Sequence, residues 1–265
     1  MSSRLALGVR YRGGAYSGWQ SQADGRTVQD ALERALSTFA DRPLRTHCAG
    51  RTDSGVHALN QVVHLDPGIE RDATSWIRGT NRYLPLDIAL QWCRAVGDDF
   101  HARNSAQSRR YRYLLIESAV RPSLEAGLVG WTFRPLKAAP MREAAVHLLG
   151  EHDFSSFRSS QCQSRSPVKT LHSITIEQRA GVWTFDFHGS AFLHHMIRNL
   201  MGCLLAVGSG RHPPAWLAGV VAARDRDAAA PTFAPEGLYF VGPQYDPRHA
   251  IPGPSEPLDR LPFCP

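Results

Sequence analysis

Apolar and polar residues change rhythm several times along this chain, and each rhythm predicts an element. Short apolar or alternating runs over 5–9, 44–49, 59–65 and 88–96 predict strands. Between the first two, Val28, Leu32, Ala35, Leu36 and Phe39 recur at helical spacing behind Thr27, a residue placed to cap the helix. A weaker helical pattern covers 72–81. The resulting order, β-α-β-β-α-β, matches the ferredoxin-like plan, with two helices on one face of an antiparallel sheet.

The second half repeats that plan. It offers a strand at 110–116, then a helix opened by Pro140 with a stripe of Ala144, Ala145, Leu148 and Leu149, ended by Gly150. Strands at 168–176 and 182–187 flank Ala180-Gly181, an apolar helix runs from 191 to about 207, a further helix closes at 222–230, and a last strand covers 237–241. We expect an α+β (α/β) chain of two such domains, 1–102 and 103–243, with a proline-rich extended tail over 244–265.

Charge adds a partner to this picture. Lys and Arg number 30 against 24 Asp and Glu, for a net charge of +6 and a pI near 9.3. Arginine supplies nearly all of the excess, and its planar fork matches phosphate oxygens, which favours an anionic partner such as nucleic acid. Arg103, Arg109, Arg110 and Arg112 crowd the predicted domain boundary without one acid. On the strand that follows, Tyr111 and Tyr113 share one face and Arg110 and Arg112 the other. That alternation fits an aromatic platform beside a phosphate-binding edge, and equally a half-buried strand with core tyrosines.

Other classes are disfavoured. Five cysteines without a Cys-x-x-Cys pair read as free thiols of a reducing cytoplasm, and twelve histidines show no metal-ligand spacing, so neither a disulfide framework nor a metal site is expected. The start of the chain has no signal-peptide core, which predicts a cytosolic protein. Polar groups interrupt the helix beginning at 191, so it does not read as a membrane span. On that helix His194 and Arg198, and His195 and Asn199, stand four apart and define one stripe. A buried arginine needs a partner, because breaking a buried pair costs about 3–5 kcal/mol. Asp53 is the candidate.

Asp53 lies in a polar loop between two apolar runs, bracketed by Gly50 and Gly55. Glycines let such a turn hold a carboxylate outward from a rigid sheet, although Asp-Ser-Gly is also a turn composition in which the carboxylate caps its own backbone. Near the start, 10–20 is a glycine-rich loop with three rings, Tyr11, Tyr16 and Trp19, available for stacking or for a structural hairpin. The serine- and glutamine-rich loop 155–167, with Arg158 and Arg165, reads as a surface loop or an RNA clamp.

The string Gly50-Arg51-Thr52-Asp53-x-Gly55-Val56-His57-Ala58 resembles the catalytic motif of the tRNA pseudouridine synthase A (TruA) family, with Ser54 where members often carry alanine. Further resemblances follow in the family's order. They are Tyr-x-Gly-x-x-Tyr-x-Gly-Trp-Gln at 11–20, with Arg12 where an acid is common, Arg-Arg-Tyr-Arg-Tyr at 109–113, Phe-x-His-His-Met-x-Arg-Asn at 192–199 and Glu-Gly-Leu-Tyr at 236–239. The resemblance implies two domains sharing a mostly antiparallel sheet around a central basic cleft, a homodimer, and conversion of uridines 38, 39 and 40 of the tRNA anticodon stem-loop to pseudouridine. It implies Asp53 as nucleophile, Arg198 as its ion-pair partner, Tyr111 stacked on the target base, Arg51 holding the flipped nucleotide, and Gly237 and Leu238 lining the base pocket. Arg109 and Arg110 join the substrate contacts.

The chemistry agrees. Isomerisation changes neither redox state nor water content, so no cofactor is expected. Two rivals remain: an N-glycosylase or nucleoside hydrolase, which would usually recruit a second carboxylate, and a noncatalytic RNA-binding protein.

Overall fold

The structure, a computed structural model, describes residues 4–254. The chain divides into two compact units: the first runs to Ser108 and resumes at Tyr239, and the second is Arg109–Leu238.

In the first unit, strands β1 (Leu5–Tyr11), β3 (His57–Leu65) and β4 (Ile88–Ala95) form the sheet, β1 lying antiparallel to both others. All nine residues of β3 are buried, as expected of a central strand covered on both faces. The strand expected at 44–49 shortens to β2 (His47–Cys48), paired with the far end of β3. Helix α1 (Val28–Ala40) buries Val28, Leu32, Ala35 and Leu36, and its Thr27 cap accepts from the Asp30 amide. Helix α2 (Ala73–Asn81) is capped by Asp72, which accepts from the Ser75 amide. Capping satisfies amides that the first turn leaves unpaired, worth about 1 kcal/mol at each end.

In the second unit, β5 (Ala106–Glu117), β9 (Val182–Gly189), β8 (Val168–Arg179) and β7 (Gly150–Asp153) pair antiparallel in that order, and β6 (Gly130–Thr132) adds in parallel to β5. The β8 to β9 hairpin closes on Ala180 and Gly181, with φ of 46° and 79°; two left-handed residues match the twist of a two-residue turn. Helix α3 (Ala138–Val146) buries Met141, Ala144 and Ala145, and its Arg142 donates to the Ile176 carbonyl of β8.

Further elements differ from expectation. The helix expected from 191 begins only at Met196 (α4, Met196–Gly208), because His195 takes a left-handed conformation (φ 63°) that a continuing helix cannot contain. The helix expected at 222–230 is instead α5 (Trp216–Ala223). It ends at Arg224, again left-handed, before a separate 3-10 turn, Arg226–Ala228, capped by Asp225. The last strand, β10 (Leu238–Tyr245), pairs in parallel with β3 through Tyr239 and Phe240, so the chain's end returns to the first unit. There the Tyr245 hydroxyl donates to the Ala102 carbonyl and Asn60 to the Pro252 carbonyl, which packs the described start of the proline-rich tail. Its remainder, 255–265, lies outside the described residues.

Candidate active site

The loop carrying Asp53 is anchored from several directions. The Val56 amide donates to the Asp53 carbonyl (3.1 Å) across a four-residue turn whose third residue, Gly55, has φ 81°. That position of such a turn requires positive φ, which glycine adopts without steric cost. Upstream, Gln61 of β3 grips Gly50 by donating to its carbonyl (2.5 Å) and accepting from its amide (3.4 Å). The Trp19 amide donates to the Thr52 carbonyl (3.0 Å), the Thr52 and Tyr11 hydroxyls share a buried bond (2.8 Å), and Ser54 donates to the Tyr16 carbonyl (3.1 Å). Gly18 passes so near that a Cβ there would stand 2.8 Å from the Thr52 oxygen. Asp53 is half-buried and Arg51 exposed. The carboxylate is therefore carried on a backbone with little freedom to move.

This geometry also revises the loop at 10–20. Tyr11 and Trp19 are buried core rings with centroids 5.9 Å apart, so neither is open for stacking. Tyr16 is half-buried and donates to the Asp87 carboxylate at 2.5 Å; burial first, then that carboxylate, holds its phenol well above the usual range. The loop supports the Asp53 turn. Gly13 packs on Val56 and its amide donates to His57 Nδ1 (3.0 Å).

Three imidazoles cluster around β3, His47, His64 and His101, with centroids 4.5–5.7 Å apart and the His47 and His64 rings stacked. His64 Nδ1 accepts from the Ala102 amide. Burial first, then the two neighbouring rings, push its pKa down to about 4, so the His64 ring is neutral at pH 7.

In the second unit, Tyr111 is buried and meets Phe192 edge-on, with centroids 5.1 Å apart. Arg109 donates to the Ser190 carbonyl (2.9 Å) and Arg110 is exposed. Arg112 is different. It is buried and forms a two-bond pair with Asp186, its direct partner on β9, both bonds 2.8 Å. The phosphate-binding role that alternation suggested for Arg112 is thereby excluded, since a carboxylate already occupies its fork.

Tyr113 is fully buried and donates to the Ala234 carbonyl (2.9 Å). Burial, then the Glu236 carboxylate, raise its pKa, while the Arg198 charge acts in the opposite sense. Gly237 lies against it: a Cβ at Gly237 would sit 2.5 Å from the Tyr113 ring and 2.3 Å from the Leu114 carbonyl oxygen, and Leu238 is buried beside it. Arg198 donates from Nε to the Phe233 carbonyl (2.9 Å), and the Phe233 amide donates back to the Arg198 carbonyl (3.1 Å).

The helical stripe of four polar residues is not realised, because His194 and His195 precede α4. Asn199, from that stripe, is wholly buried and structural. It donates to the Phe157 carbonyl and accepts from Arg226 (3.2 Å) and Thr232 (2.6 Å). Nothing in the spacing pointed to Arg226, which lies 27 residues from Asn199.

A family model described as tRNA pseudouridine synthase matches residues 8–104 and 144–246, most of the chain. The chain belongs to that family. Relatives named tRNA pseudouridine synthase A include one from Methylibium petroleiphilum, 68% identical, and one from Polaromonas naphthalenivorans, 63% identical. Each alignment covers 98% of this chain and 100% of the relative. Family membership makes the chain an isomerase, and the loop at Asp53 falls inside the first matched segment, Tyr111 outside both. Arg198, Gly237 and Leu238 fall in the second. Among the described residues no helix is long and apolar enough to cross a membrane.

Proposed function

We propose that this chain isomerises uridine to pseudouridine at positions 38, 39 and 40 of the tRNA anticodon stem-loop, with Asp53 as nucleophile. The observation that carries the reading is a half-buried carboxylate on a pinned turn, inside the string Gly50 to Ala58 that matches the family's catalytic motif.

The reaction breaks the bond from N1 to C1′, turns the base, and joins C5 to C1′; the C5 proton leaves and N1 gains one. An ionised Asp53 serves each available route: attack on C1′, attack on C6, or removal of the 2′ proton. We assign Arg198 as its ion-pair partner on the family resemblance, since pairing with a guanidinium favours the charged carboxylate. Extracting the target from its stack costs about a few kcal/mol, offset by stacking and backbone contacts. Tyr111 is assigned the stacking role and is the candidate acceptor of the C5 proton. Arg51, Arg109 and Arg110 are assigned to the RNA, and Gly237 and Leu238 to the base pocket. A cytoplasmic homodimer fits the family resemblance.

Tritium release from tRNA labelled at uridine C5 tests the proposal. The native chain should release tritium with the RNA intact, and Asp53→Asn should bind tRNA without release. Native protein that binds tRNA tightly yet releases nothing sinks the catalytic assignment.

A further inference from the structure

The second unit holds a cleft of about 640 Å³ that the assigned site residues do not line. Its walls include Arg158, Ser159, Ser160, His195, Arg226 and Thr232, with Asn199 beneath. The size suits a nucleotide unit rather than a single ion.

Charge in the cleft is unbalanced. Arg158 donates through one nitrogen, Nη2, to the Cys162 and Ser164 carbonyls (2.8 Å each), and Arg226 donates to the Ala229 and Ala230 carbonyls, to Asn199 and to Thr232. Every one of these acceptors is neutral. Among the described residues neither guanidinium has a carboxylate within ion-pair distance. Arg158 keeps Nε and Nη1 outside its two carbonyl bonds. Asp227 also lines the cleft but is exposed, so solvent screens its charge more than theirs, and the half-buried Asp153 feels the Arg158 charge from beyond ion-pair distance. Two guanidiniums fixed by neutral partners, in a cleft also lined by serines, constitute a preorganised phosphate cradle. The His195 ring, set by its left-handed backbone, closes one side.

We infer that this cleft takes a backbone phosphate and its ribose from the RNA, adding a hold on tRNA to the grip on the reacting base. The inference rests on tRNA being the substrate. It makes the loop 155–167 a binding wall: Arg158 ties the loop to the cleft and the exposed Ser160 stands at the rim.

Ser160 permits a test that spares the arginines, whose bonds also hold the fold. Binding of tRNA is measured over a range of salt concentrations for the native chain, Ser160→Glu, Ser160→Lys and a control, Ser123→Glu, at an exposed position outside the cleft. Ser160→Glu should weaken binding about tenfold near 0.1 M salt. Ser160→Lys should tighten it and steepen the plot of log affinity against log salt by about 0.7–0.9, the slope of one more phosphate contact. Ser123→Glu should stay within about twofold of native. Unchanged affinity in both Ser160 variants, while native protein binds and converts tRNA, overturns the cleft assignment alone. Native protein with no affinity for tRNA removes the substrate reading itself. Inorganic phosphate provides the last arm: if it shifts the His195 ring resonances at millimolar levels while both Ser160 variants bind tRNA as native does, the cleft serves free phosphate and the RNA assignment fails.

Discussion

Replacing Arg112 by alanine should destabilise the second unit and leave the electrostatics of RNA binding unchanged. The guanidinium side chain is 10% exposed and its partner Asp186 34% exposed, with two 2.8 Å bonds between facing residues of β5 and β9. Removing one member of a buried pair costs about 3–5 kcal/mol, whereas a surface pair is worth about 0–1 kcal/mol. Asp186 retains some water, so the expected loss lies between these limits, at about 2–3 kcal/mol. At about 2–4 °C per kcal/mol this lowers Tm by roughly 4–12 °C.

Urea unfolding gives the free energy, and tRNA binding against salt, measured at a temperature where the variant is folded, gives the number of phosphates engaged. Because Asp186 already neutralises Arg112, the salt slope should match the native value. The double variant Arg112→Met with Asp186→Leu should regain much of the loss, since packed apolar groups replace a buried pair at little or no cost. An Arg112→Ala protein of native stability whose salt slope is shallower by about 0.7–0.9 would show that Arg112 holds a phosphate, and the argument would be wrong.

Two further outcomes follow from packing and titration. Gly237→Ala should cost on the order of 1–3 kcal/mol, because its Cβ meets the Leu114 carbonyl and the Gly130 amide, both backbone, at 2.3 and 2.6 Å; Gly219→Ala, on α5 with no atom within 4 Å, should be neutral or stabilising in the same melting assay. His64 has its pKa lowered to about 4 in the folded state against an ordinary 6.5, so the unfolded chain binds a proton first as pH falls. Stability from this group is complete above pH 6.5 and is lost on acidification towards pH 4, by about 1–2 kcal/mol between pH 7 and 5 after allowance for solvent screening. Urea midpoints at the two pH values should converge in His64→Gln; an undiminished pH dependence in that variant assigns the effect elsewhere.

Local signals in the sequence determined much of this molecule. Helical spacing behind the Thr27 cap placed α1, a weaker pattern over 72–81 placed α2, Ala180-Gly181 placed the β8 to β9 hairpin, and Gly55 marked the turn that holds Asp53. Each depends on residues a few positions apart, whose backbone preferences act before any tertiary contact forms. The motif at 50–58 carried the family, which the comparison then showed.

Tertiary structure decided the rest, for a common reason. Periodicity identifies which residues share a face, and it is silent about what that face meets. Arg112 turned inward because Asp186, 74 positions away, stands opposite it across two strands. Tyr11 and Trp19 became core because the Asp53 loop folds over them and uses the Tyr11 hydroxyl and the Trp19 amide as anchors. Asn199 became a buried hub through Arg226 and Thr232, neither within a helical turn of it. The start of α4 moved to Met196 because a single left-handed residue, His195, breaks a pattern whose apolar spacing continues through it. Even β10, plainly a strand in sequence, has its place beside β3 fixed only by the tertiary structure, since strand pairing is a choice among partners that no single strand encodes.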